Sequence, residues 1–348
     1  MRYTYNLEGR STLRQLPSTE MNPKFISQFA EGDRIIAHLL VQSKQLLSTK
    51  SGKPYLSLLL QDKTGTISAR LWDNALEFYD KFKVNDIIKV DGTVELYNKE
   101  LQLVIRRLRT SQPEEIQLSD FVRQSDHNVD EMLLEIRSYI EAVHNPHLKA
   151  LLEAFFNDEA FVEEFKTSPA ARNIHHVWVG GLLEHTLSTA RICEYLTTHY
   201  PVLDADLLIT MAILHDVGKV RELEVSPSIN YTEEGNLLGH IILGIQMVDE
   251  KLAHIPNFPP KLRMLVEHML LSHHGQSEWG SPRPPMFLEA EILHRADDLD
   301  VKVDIISRAV AEDRDSDSSW TAYQRALERI LYKRPTYETD LAPEESPD

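Results

Sequence analysis

Fifteen histidines stand in this 348-residue sequence, and seven chemically capable positions follow one another at regular intervals. In order they are His185, the pair His215–Asp216, His240, the pair His273–His274, and Asp297. The intervals of 30, 25, 33 and 23 residues are each about one helical hairpin, so each step could return a side chain to the same cavity of a bundle. Neutral imidazoles bind borderline transition metals, and a carboxylate can bridge two cations and offset their charge. Five imidazoles and two carboxylates suit two metals with positions left for water and substrate. Water held there would have its pKa lowered towards about 7 and become a nucleophile. In "AILHDVGKV", Lys219 follows His215 by four residues and Asp216 by three. On one helix face it could meet a phosphate oxygen.

Such a set needs elements that aim it. From residue 129 the apolar spacing is helical, as in "VDEMLLEIRSYIEAV" with Met132, Leu133, Ile136 and Ile140. "VGGLLEHTLSTARICEYL", "ADLLITMAILHDVGKV", "LGHIILGIQMVDEKLAHI", "PPKLRMLVEHMLLSHHG" and "FLEAEILHRADDLDVKVDIISRAV" each predict one helix carrying part of the series. The chain before them has a different texture. "DRIIAHLLVQSKQLL", "KPYLSLLLQD", "GTISARLWD", "NDIIKVDGTVELYN" and "KELQLVIRRLRT" predict five strands, and "NALEFYDKF" predicts a short helix between the third and fourth. That order is the order of an OB barrel. The expected fold is therefore multidomain: an N-terminal extension over 1–30, an all-β OB-fold barrel over 31–110, and a linker over 111–128. An all-α bundle follows over 129–330, then an acidic, disordered tail over 331–348.

In "TISARLW", Ile67, Ala69 and Leu71 share one face, while Ser68, Arg70 and Trp72 share the other. The first set suits a barrel interior. The second offers a basic and aromatic surface on strand three, where OB folds commonly bind oligonucleotides. Lys53 and Tyr55, at the start of strand two, extend that surface. Each of these also has a bland reading, as a solvated charge or an aromatic packed at the barrel edge.

The net charge of −17 argues against nucleic-acid binding by bulk electrostatics. The charge is uneven, however. Residues 31–110 hold 13 Lys/Arg and 10 Asp/Glu, a local +3, which leaves −20 for the remainder. A polyanion would therefore need a local basic face, bound cations, or both. No apolar run reaches the length of a bilayer span, and the first twenty residues hold no apolar signal core. Cys193 is the single cysteine, so no intramolecular disulfide forms. A reducing cytoplasm is the expected home.

The order H…HD…H…HH…D, with "GGLLEHT", "LHDVGK", "GHI", "LSHHG" and "ADDLD", resembles the HD-domain metal-dependent phosphohydrolases that bind two metals. With an OB barrel ahead of it and the string "AARNIHHVWVGGLLEHT", the chain resembles the YhaM-type 3′–5′ exoribonucleases over roughly residues 30–315. The resemblance implies that His185, His215, Asp216 and Asp297 hold a first metal. It implies that Asp216, His240, His273 and His274 hold a second, with Asp216 bridging. Asp298 and Asp300 neighbour Asp297, so the last ligand stays open among the three. Position 181 is Gly, without the extra carboxylate of three-metal relatives, so two ions are expected. Mn²⁺ is the first choice, with Fe²⁺, Co²⁺ or Zn²⁺ as alternatives. The resemblance also implies a homo-oligomer. His176 and Arg172 could contact the scissile phosphate, or could be a loop residue that packs and a surface charge. His294, one turn before Asp297, would support a ligand from behind.

The expected function is hydrolysis of single-stranded RNA from its 3′ end to nucleoside 5′-monophosphates, with single-stranded DNA as a possible second substrate. Asp216, Lys219 and His176 are the expected catalytic residues. Lys53, Tyr55, Arg70, Trp72 and Arg172 are the expected strand contacts. Two rivals compete. One is an HD phosphohydrolase of nucleotides or cyclic dinucleotides. The other is a single-strand-binding protein whose HD site is inert.

Overall fold

The computed structural model describes residues 25–121, 125, 127–171, 178–225, 229–313 and 318–333. The chain divides into two compact units, Met1–Glu115 and Ile116–Asp348.

In the first unit β1 (Arg34–Ser48), β2 (Pro54–Asp62), β3 (Gly65–Leu71), β4 (Ile87–Tyr97) and β5 (Glu100–Thr110) close a barrel in the order β1-β2-β3-β5-β4. The helix α1 (Ala75–Tyr79) lies between β3 and β4 in sequence. The length of β1 lets one strand serve two partners. Its first half pairs with β4, from Arg34↔Thr93 to Leu40↔Ile87, and its second half with β2, from Leu40↔Gln61 to Ser48↔Pro54. A register shift between Val41 and Ser43 bends it between the two. The one parallel pairing, β3 with β5, completes closure. Period-two alternation buries Leu56, Leu58 and Leu60 of β2 and Ile67, Ala69 and Leu71 of β3. A shift between Asp91 and Gly92 lets β5 turn. A Cβ on Gly92 would press on the Val104 carbonyl, so only glycine fits there.

The second unit is helical: α2 (Val129–Ala142), α3 (Pro146–Phe156), α4 (Glu159–Thr167), α5 (Gly181–His199), α6 (Ala205–Leu214) and the short α7 (Lys219–Glu222). A hairpin, β6 (Leu223–Val225) and β7 (Ile229–Tyr231), follows, then α8 (Glu233–Leu252), α9 (Pro260–Ser272) and α10 (Leu288–Glu312). Asn128, Asn145, Asp158 and Asp204 cap α2, α3, α4 and α6 through their side-chain oxygens. Phe155, Phe156, Phe161 and Phe165 stack and meet edge-on to pin α3 to α4. Every residue of α6 from Leu207 to Leu214 is buried, so this helix runs through the middle of the unit.

Two expected helices are interrupted. The run "ADLLITMAILHDVGKV" stops at Leu214, turns through residues 215–218, and resumes as α7. The run "LGHIILGIQMVDEKLAHI" extends back to Glu233, and Gly239 breaks it at φ 71°, ψ 159°, a backbone state that L side chains avoid. The hairpin β6–β7 carries no sequence signal, because three-residue strands are too short to show a period. Trp320 and Tyr332 pair across an isolated bridge. Residues 334–348, most of the expected tail, lie outside the described residues. Among the described residues no helix is long and apolar enough to cross a membrane.

Candidate metal centre

His215 and His273 arrive by the same device. Each sits at the C-terminal cap of a helix, α6 and α9 respectively. Each turns its Nδ1 back onto the carbonyl three residues before, Ala212 O at 2.9 Å and Leu270 O at 2.8 Å. The carbonyl can only accept, so Nδ1 carries a proton and Nε2 faces forward into the site. A helix C-terminus also carries partial negative charge, which favours a cation. His274 repeats the pattern with its Nδ1 on Trp279 O at 2.7 Å.

The other two imidazoles are backed by carboxylates. His185 Nδ1 lies 2.7 Å from Asp300 Oδ2, and His240 Nδ1 lies 3.1 Å from Glu222 Oε1. All five Nε2 atoms converge on Asp216. Its Oδ2 is 3.5 Å from His185 Nε2 and 3.4 Å from His215 Nε2. Its Oδ1 is 3.5 Å from His240 Nε2 and 3.6 Å from His273 Nε2. His274 Nε2 is 3.3 Å from His240 Nε2. Asp297 Oδ1 joins the first group, 3.2 Å from His185 Nε2 and 4.0 Å from His215 Nε2. Donor atoms of His185, His215 and Asp216 all lie within 4.8 Å of one another, as do those of Asp216, His240, His273 and His274.

A crowd of acceptors needs positive charge, and the electrostatics register it. Burial opposes the charge on Asp216, yet Lys219 and then His215 hold its carboxyl well below the usual range. Burial likewise opposes ionisation of Asp297, and His185 and His215 overcome it. Burial would neutralise His185, but hydrogen bonds to Asp297 and Asp300 push it up to about 10. His274 goes the other way, down to about 3, through burial and then the neighbouring His273 and His240. Burial also lowers His273. Among the described residues, two buried atoms here have no hydrogen-bond partner, Asp216 Oδ1 and His273 Nε2. Both belong to the side of the site where burial lowers His273 and His274. Unpaired buried acceptors of this kind are costly unless a cation meets them, so the residues present fit a metal.

Lys219 reaches the site, with Nζ 2.6 Å from Asp216 Oδ2, although the expected continuous helix is absent and α7 carries it. The last carboxylate sorts itself among the three candidates. Asp297 faces the imidazoles, Asp300 stands behind His185 with Ser188 Oγ on its other oxygen, and Asp298 pairs with Lys302 at 2.5 Å. His294 is buried and turns its Nδ1 to His273 O at 2.9 Å. Arg172 and His176 lie outside the described residues. Sequence reasoning missed Glu222, which is buried and also accepts the His240 backbone N–H at 2.9 Å. It follows Lys219 by three residues, and no ligand spacing points to it.

On the barrel, Tyr55 and Trp72 meet with ring centroids 4.6 Å apart and planes tilted by 33°. Lys53 Nζ pairs with Asp73 at 2.7 Å, and Arg70 folds onto Ala69 O at 2.9 Å. The two aromatics are thus brought together, while both cations are engaged by the barrel itself.

Comparison with known proteins agrees with both halves. The HD domain family matches residues 182–302, and the OB-fold nucleic acid binding domain family matches residues 39–110. A curated 3′-5′ exoribonuclease YhaM from Geobacillus sp. (strain WCH70) is 36% identical over 322 residues, covering 92% of this chain and 98% of that protein. The chain belongs to the YhaM family of 3′–5′ exoribonucleases. Like other YhaM-type chains it is a metal-dependent hydrolase with an OB barrel ahead of an HD domain. Among solved structures, the second OB-fold domain of replication protein A from Methanococcus maripaludis is 25% identical. The match covers 26% of this YhaM-type chain and 96% of that one, at a TM-score of 0.22. The SSB domain of a Synechococcus protein is 17% identical, covering 23% and 98%, at a TM-score of 0.21.

Proposed function

We propose that this chain hydrolyses single-stranded RNA from the 3′ end and releases nucleoside 5′-monophosphates. The observation that carries the reading is Asp216, which turns one oxygen to His185 and His215 and the other to His240 and His273. On this reading His185, His215, Asp216 and Asp297 hold one divalent ion, and Asp216, His240, His273 and His274 hold another. When bound, the pair supplies Lewis acidity towards the phosphoryl group and a nucleophile at neutral pH. Mn²⁺ is our first choice, since mixed imidazole and carboxylate donors accept it alongside Fe²⁺, Co²⁺ and Zn²⁺.

The chain's own residues do the rest. Lys219, whose ammonium sits 2.6 Å from Asp216, offsets negative charge that grows on the phosphoryl oxygens. Tyr55 and Trp72 offer a stack for unpaired bases. Lys53 and Arg70 follow the backbone once a phosphate competes for them. Arg172 and His176 are assigned to the scissile phosphate by sequence alone. A single buried cysteine suits the reducing cytoplasm, where we place the enzyme as a homo-oligomer.

The test is full-length protein incubated with 5′-labelled single-stranded RNA, single-stranded DNA and a cyclic dinucleotide, each with Mn²⁺, Mg²⁺ or chelator. The expected result is a ladder shortening from the 3′ end, with RNA and Mn²⁺, and a nucleoside 5′-monophosphate product. Cleavage of the cyclic dinucleotide alone would replace this reading with a nucleotide phosphodiesterase. Strand binding without any metal-dependent product would make the chain a binding protein.

A further inference from the structure

Three of the five inward-facing imidazoles are backed by main-chain carbonyls: His215 by Ala212, His273 by Leu270 and His274 by Trp279. The two exceptions fall one in each group. His185 is backed by Asp300 and His240 by Glu222. We propose that Asp300 and Glu222 are positioning residues, one for each metal subsite, so that the affinities of the two ions are set separately through His185 and His240. The proposal rests on the two-ion reading above.

Each carboxylate is itself built in. Glu222 Oε1 accepts both the Nδ1 proton and the backbone N–H of His240, at 3.1 and 2.9 Å. That N–H is available because Gly239 breaks α8 one residue earlier. The main chain of Glu222 is fixed as well. Its carbonyl accepts Thr232 N at 2.9 Å, and Gly235 packs so closely on it that a Cβ would collide. Asp300 Oδ1 takes the Ser188 hydroxyl while Oδ2 takes His185. A negative charge fixed behind an imidazole orients the ring and strengthens its hold on a cation. Removal of such a partner typically weakens metal affinity by about 10–100-fold. A backbone carbonyl orients equally well but brings no net charge. The charged backing therefore singles out one ligand per ion, and the two lie on opposite sides of Asp216.

The experiment is calorimetric titration of Mn²⁺ into chelator-stripped full-length protein, wild type beside Glu222→Gln, Asp300→Asn and the double variant. Both substitutions keep shape and one acceptor oxygen, remove the charge and turn the other oxygen into an N–H donor. Wild type is expected to take two ions. Each single variant is expected to lose about 10–100-fold in affinity for one ion and keep the other, and the double variant to weaken both. Adding His185→Ala to Glu222→Gln should remove the ion that Glu222→Gln retained. Melting curves in chelator check that each variant is folded. Should Glu222→Gln not fold, the Asp300→Asn titration decides by the same criterion. Single variants that weaken both ions alike, or neither, overturn this inference and leave the two-ion reading standing. A wild type that takes fewer than two ions overturns both.

Discussion

Asp216 has two oxygens and two sets of neighbours, and among the described residues no other carboxylate lies between the two groups. Asp216→Asn keeps its size but removes the negative charge and replaces one oxygen with an N–H donor, which cannot ligate a cation. Loss of both ions and a fall in turnover of more than about 100-fold are expected, beyond the effect of residues that merely stand behind ligands. Metal analysis and single-turnover cleavage would check this. Lys219→Ala makes a different prediction. Its ammonium touches Asp216 without being a ligand, so metal content should persist while kcat falls about 10²–10³-fold and KM changes little. A matched loss of metal would reassign Lys219 to holding the site together. The order of histidines was legible in the sequence because their intervals match helical hairpins. The carboxylates behind them were less so. Asp300 stood among three candidates that only the rotation of α10 separates, and Glu222 belongs to no repeating interval at all.

The elements owe their aim to two glycines at their breaks. Gly218 lets the turn after α6 lie against α8, where a Cβ would run into the His240 carbonyl and the Gly244 amide. Gly239 holds a backbone state at φ 71°, ψ 159° that costs an ordinary residue about 1–3 kcal/mol. Gly239→Ala is therefore expected to destabilise the helical unit by about that amount and to draw His240 from Glu222. Denaturant melts should show the first effect, and Mn²⁺ titration should show weakening of one ion. An unchanged midpoint with unchanged titration would mean the break does not place His240. Helical periodicity in the sequence runs straight through both breaks, because a turn that keeps its apolar side buried preserves the pattern. Strand alternation was legible for β3, whose Ile67, Ala69 and Leu71 are buried, since a barrel wall has one face inside and one outside and no break to hide.

At the scale of the whole molecule, each unit has its own hydrophobic core, one built on the barrel strands and one on the helices. Work on the strand and work on the phosphate can then be perturbed one at a time. Replacing both Tyr55 and Trp72 with Ala removes the aromatic pair on the barrel, and base stacking contributes about 1–3 kcal/mol per base. KM for long single-stranded RNA should rise about tenfold or more, while cleavage of a dinucleotide should be unaltered. Equal effects on both substrates would assign the pair to barrel stability instead. The tryptophans offer a direct view of the same division. Trp72 is 38% exposed on the barrel, and Trp279, 48% exposed, belongs to the residue whose carbonyl steadies His274. On the proposed reading, one of the four tryptophans stands at each task. RNA should quench the emission lost in Trp72→Phe, Mn²⁺ should alter the emission lost in Trp279→Phe, and the order in which strand and ion arrive could be timed by light alone.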